Sequence, residues 1–127
     1  MIECASGRSF VNSYIAVAIG GAIGAMLRFA ISEWVGTPQA TLLVNAVGSL
    51  LLGMCMAGLA AELVSKDMTI FVGTGILGAF TTMSTFSVET IELWNDNHTT
   101  AIGYVTITML LCPILAYAGW KTVETIA

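Results

Sequence analysis

The chain has 127 residues, of which 57% are hydrophobic and only 9% charged, and its mean hydropathy is +0.88. Soluble domains carry about a quarter charged residues, so this composition excludes a soluble globule and indicates an integral membrane protein. Eight acids against four bases give a net charge of −4, which leaves no basic patch for nucleic acid or anionic lipid.

Hydropathy divides the chain into four spans, each near the roughly 20 apolar residues needed to cross a bilayer. The first runs from about Val11 to Trp34 and is broken by Gly36-Thr37-Pro38. The first apolar run is too long for a cleavable signal peptide. Gly20 and Gly24 form a small-xxx-small pair, among Ala18, Gly21, Ala22 and Ala25, that suits close helix packing. Arg28 lies toward one end of this span, within snorkelling reach of the interface, and reads equally as an anchor or as an electrostatic element.

The second span covers about Thr41 to Val64, followed by a polar turn at Ser65-Lys66-Asp67. Gly48, Gly53, Ala57 and Gly58 thin one side of it. Asn45 carries an amide that must find partners in the membrane. Taken alone it reads as an interhelical hydrogen-bonding residue, with a pore-lining donor as the alternative.

The third span, about Met68 to Trp94, is the most unusual segment. Gly75 and Gly78 weaken the helix, and Thr81, Thr82, Ser84 and Thr85 compete for its backbone hydrogen bonds. These features predict a break around Gly78 to Thr82. Lipid offers no partners for hydroxyls or freed backbone groups, so the segment should face protein or water. Freed carbonyls suit a hard cation such as sodium, and freed amides and hydroxyls suit an anion. Phenylalanine ring edges carry partial positive charge and could pass a small anion without trapping it. For Phe80, ordinary packing is the simpler reading. Glu89, two thirds of the way along, needs a partner, a water-filled vestibule or a proton. Glu92 and Asp96 lie nearer the loop.

Asn95 to Thr99 form the next loop, and the fourth span runs from about Thr100 to Trp120. Trp34, Trp94 and Trp120 fall at span ends, as interfacial tryptophans do. The Asn97-His98-Thr99 sequon reads as accidental in so tight a loop. Cys4, Cys55 and Cys112 follow no metal or disulfide spacing and read as small apolar fillers. An even number of crossings places Arg8, Lys66 and Lys121 on one side and Arg28 near the other, a slight bias toward both termini inside. Four short helices enclose little alone, so an oligomer with its pathway near the interface is expected.

Three motifs resemble the Fluc (CrcB) fluoride channels: Gly20-Gly21-Ala22-Ile23-Gly24-Ala25-Met26-Leu27-Arg28-Phe29, Thr41-Leu42-Leu43-Val44-Asn45, and the run from Gly78-Ala79-Phe80-Thr81-Thr82-Met83 to Ser84-Thr85-Phe86-Ser87-Val88-Glu89. Their order and spacing carry the resemblance over essentially the whole chain. It implies an all-α, multi-pass protein of the bacterial inner membrane, with one four-span domain and a broken third span, that is not an enzyme. It implies an antiparallel, dual-topology dimer with two fluoride pores and a structural sodium held by the backbone carbonyls of Gly78 and Thr81. The pore positions map to Asn45, Met83, Ser84, Thr85 and Phe86, and the fourth-span polar track to Thr108 and Cys112. Ala116 and Tyr104 are further fourth-span positions, and Pro113 can shift this mapping. Arg28 and Glu89 match the family's span-one arginine and its acid after the third-span motif.

Two positions depart from the family pattern. Met83 stands where phenylalanine is usual, and a thioether lacks the ring's positive edge. Cys112 and Ala116 thin the fourth-span track. A homodimer is expected first, and a pair of different subunits is the alternative. A small proton-coupled drug or guanidinium exporter has a similar build. It would need a carboxylate embedded in the first span, where Glu33 stands only at the end.

Overall fold

The computed structural model describes the backbone of residues 7–127 and the side chains of residues 12–127. Cys4 and the side chain of Arg8 lie outside the described residues. Among those described, every regular element is helical: α1 (Gly7–Val35), α2 (Gln39–Ala60), α3 (Lys66–Thr69), a π-helical stretch (Ile70–Leu77), α4 (Gly78–Phe80), α5 (Met83–Asp96) and α6 (His98–Ile126). With lipid unable to satisfy backbone groups, helices are what such apolar runs must form. Four segments are long and apolar enough to cross a membrane: Asn12–Val35, Gln39–Ala60, Lys66–Asp96 and His98–Ile126. The protein is a multi-pass membrane protein.

The connections are tight. Gly36 ends α1 at φ +80°, a left-handed conformation that favours glycine, and α2 begins one residue after Pro38. The second span stops at Ala60 rather than reaching Val64, because the Gly58 carbonyl accepts the amides of Leu63 and Val64 and closes a turn there. Lys66 and Asp67 are not a polar turn. The Ser65 hydroxyl accepts the Met68 amide at 3.2 Å, which starts α3 at Lys66 as N-cap serines do. The loop after the third span shrinks to Asn97, whose side chain accepts the Thr100 amide at 3.1 Å and starts α6 at His98. That cap occupies the side-chain oxygen of the sequon asparagine. α6 then runs through Pro113 to Ile126.

Small residues set the packing. A Cβ on Gly24 would collide with the Ile76 carbonyl, and one on Gly75 would come within 3.0 Å of the Gly20 Cα. α1 therefore lies backbone to backbone on the π-helical stretch. A Cβ on Gly53 would strike the Ala116 carbonyl, and one on Gly119 the Leu50 carbonyl, which seats α2 equally close to α6. The largest fully buried side chains, Val44 and Thr41, lie on α2. The small-residue stripes read from the sequence are thus the contact surfaces of the bundle.

Candidate ion pathway at the break of the third span

The third span is interrupted at Thr81 (φ −81°, ψ 156°) and Thr82 (φ −153°, ψ 115°), both extended. The break falls inside the interval expected from the sequence. The π-helical stretch before it was not expected; Gly73 and Gly75, both buried, are its visible sign. In an unbroken helix the Thr82 amide would return to the Gly78 carbonyl, and the Thr85 amide to that of Thr81. Here the Thr82 amide donates to Asn45 Oδ1 at 2.7 Å. The Thr85 amide donates to the Thr82 hydroxyl at 3.2 Å and so caps α5. The carbonyls of Gly78 and Thr81 thereby lose their helical donors.

Asn45 closes the gap from both sides. Its Nδ2 donates to the Thr82 carbonyl at 3.1 Å while its Oδ1 takes the Thr82 amide. The hydrogen-bonding role read for this residue alone is therefore present, and the amide binds α2 to the broken span. One N–H of the side chain is left over from this pairing. Arg28 Nε donates to the Ala79 carbonyl at 3.1 Å. A guanidinium at the carbonyl end of a helix complements its dipole, so Arg28 is tied to the break.

Hydroxyls continue from the break into α5. Thr82 Oγ1 donates to Thr85 Oγ1 at 3.0 Å and lies 3.2 Å from the Ser84 hydroxyl. Two turns on, Glu89 is 5% exposed. Thr41 Oγ1 donates to one of its oxygens at 2.7 Å and Tyr104 Oη to the other at 2.6 Å. These short bonds are of the kind carboxylates accept, and they supply the partners a buried acid needs. Phe86 is buried against the Tyr104 ring, with centroids 5.2 Å apart and planes tilted by 43°.

A groove of about 290 Å³ opens beside the break, lined among others by Asn45, Thr82, Met83, Thr108, Met109 and Cys112. Four expected pore residues, Asn45, Met83, Thr108 and Cys112, therefore line one groove. Thr108 is 3% exposed, and its hydroxyl has no hydrogen-bond partner among the described residues. A buried hydroxyl left unpaired is costly, and its place beside the groove makes a visiting polar species the natural partner. Ser84 and Thr85 adjoin through Thr82. Phe86 and Glu89 sit farther along α5, and Arg28 approaches from α1. Ala116 lies in a second groove of about 460 Å³ with Tyr117 and Trp120; Ser49 and Leu52 line both grooves.

Among the polar contributors, two carried no individual role in the sequence reading, Thr41 and Ser49. Both were detectable: Thr41, Asn45 and Ser49 recur every four residues on α2 and so share one face. On α6, Tyr104, Thr108 and Cys112 recur in the same way. The two polar stripes meet along the α2–α6 seam, Thr41 and Tyr104 through Glu89, and Asn45, Ser49, Thr108 and Cys112 in one groove.

Comparison with known proteins identifies the family of the chain. Residues 15–120 match the family model described as CrcB-like protein, Camphor Resistance (CrcB). A curated relative from Thermotoga petrophila, named fluoride-specific ion channel FluC, is 39% identical over 114 residues, covering 84% of this chain and 90% of the relative. Fluoride-specific ion channel FluC 2 of Bacillus subtilis is 43% identical over 109 residues, covering 84% and 83%. FluC of Thermus thermophilus is 36% identical over 118 residues, covering 87% and 93%. With these matches over most of its length, the chain belongs to the CrcB family.

Proposed function

We propose that this chain forms a fluoride-selective channel that lets cytoplasmic fluoride leave the cell passively. The observation that carries the reading is the groove at the break, where an unpartnered buried hydroxyl on Thr108 meets Asn45, Thr82, Met83 and Cys112. Fluoride is small, hard and strongly hydrated, so crossing requires donors that replace water without binding too tightly. The hydroxyls of Thr108, Ser84 and Thr85 and the remaining N–H of Asn45 are such donors, with the ring edge of Phe86 as a weak electropositive surface. No fixed cation stands among the groove-lining residues. Arg28 and Glu89 act at the vestibules, Arg28 as an attractive charge and Glu89 by orienting the Thr41 and Tyr104 hydroxyls.

The functional unit in this reading is an antiparallel dimer with two pores and a sodium ion at its centre. Support for the sodium comes from the carbonyls of Gly78 and Thr81, which lose their helical donors at the break, Gly78 lying exposed on the surface of the single chain. Carbonyl oxygens are the donors a hard monovalent cation takes, and two chains related by a twofold axis would present a symmetric set. Bound there, sodium would supply positive charge that offsets the aligned carbonyls.

The second reading, a proton-coupled drug or guanidinium exporter, has little support. Within α1 the charged residue inside the span is Arg28, and Glu33 stands exposed near its end. Efflux from proteoliposomes separates the readings. Passive fluoride efflux without proton movement supports the channel. Proton movement that depends on an added drug or guanidinium, without fluoride efflux, would overturn it.

A further inference from the structure

We propose that the groove beside the break also holds a site for a soft monovalent metal cation, Cu(I) or Ag(I), bound by the sulfur atoms of Met83, Met109 and Cys112. All three side chains line the same groove. Met109 and Cys112 are three residues apart on α6 and so share a face, while Met83, the first residue of α5, lines the same groove. Thiolate and thioether sulfur select Cu(I) and its like over hard cations. The groove lining contains no aspartate, glutamate or histidine, so hard and borderline divalent ions find little there. Met83 and Met109 are 59% and 42% exposed, and their unbranched side chains can swing to close on an ion. Beside them the Thr108 hydroxyl, 3% exposed and without a partner, marks the groove as able to take a ligand.

The charge balance suits a membrane interior. Binding forms a metal–sulfur bond at Cys112 and releases the thiol proton to water. The resulting thiolate and monovalent cation sum to zero, so no net charge is buried. The site would bring metal into the groove assigned above to fluoride, and only the flux consequence rests on that assignment: a bound ion would obstruct anion passage.

The test uses silver ion and the full chain in detergent, in chloride-free buffer, in a Cys4→Ser, Cys55→Ala background that removes the other thiols. One silver ion per chain is expected. Cys112→Ser should abolish retention, and the pair Met83→Leu, Met109→Leu should weaken it roughly tenfold or more with the thiol intact. X-ray absorption should show more than one sulfur at the metal. No retained silver, or equal affinity in the double-leucine variant, overturns the site; the second outcome would reduce it to a lone thiol. In liposomes, silver should block fluoride efflux by the parent, and clearly more silver should be needed to block Met109→Leu, a position outside the expected pore residues. Sulfur-bound silver with no efflux in any sample would support the site while overturning the channel reading.

Discussion

Asn45 uses one side-chain amide to repair a broken helix, taking the Thr82 amide and giving to the Thr82 carbonyl. Removing it leaves both part-buried backbone groups without their side-chain partner. Asn45→Ala is therefore expected to cost about 1–3 kcal/mol, the desolvation penalty of an unpaired buried polar group. A lowered thermal unfolding midpoint of the purified variant checks this, and an unchanged midpoint would show that water replaces the side chain. The residue illustrates what a single position reveals. That its amide needed partners was clear from its place in an apolar run. Which partners it found was not, because Thr82 lies 37 positions away and becomes available only once the third span breaks. Glu89 is similar. Its need for partners was legible, and Thr41 and Tyr104 became its donors only through packing.

At the level of elements, glycine placement decides how closely helices approach. Gly24 and Gly21 stand on the same helix but meet different surroundings. A Cβ on Gly24 would enter the Ile76 carbonyl, whereas one on Gly21 would rest 4.0 Å from the Ala79 Cβ. Gly24→Ala is accordingly expected to destabilise by about 1–3 kcal/mol, the usual range for overpacking, and Gly21→Ala to be nearly neutral. Paired thermal unfolding curves would test the contrast, and equal effects would contradict the packing described. The spans themselves were readable because apolar length alone specifies them. The break was readable because glycines and hydroxyls cluster there. The π-helical stretch was not, since five-residue hydrogen-bond spacing leaves no hydropathy signature; α1 lies directly against it at Gly75. The polar stripes on α2 and α6 could have been found from their four-residue period.

For the whole molecule, four crossings and few charges leave orientation weakly determined, with Lys66 and Lys121 on one side against Arg28. The dimer proposed here needs both orientations. Reporters fused to the C-terminus, one active only inside the cell and one only outside, should both give signal. Signal from a single reporter would contradict an antiparallel homodimer and favour an oppositely oriented partner chain. That four short helices enclose little alone pointed to an oligomer, but the antiparallel arrangement proposed here was not legible from hydropathy, because an interface between copies leaves the same apolar pattern as a lipid-facing surface.

The central claim, that the residues following the break line a fluoride path, is tested most directly by fluoride efflux from liposomes carrying either the native chain or Phe86→Ile. Phe86 follows the Met83-Ser84-Thr85 turn and packs on Tyr104. The native chain should release fluoride rapidly. Phe86→Ile should abolish release while its mass in detergent still reports a dimer. Equal efflux from the two, or none from the native chain, would contradict the account.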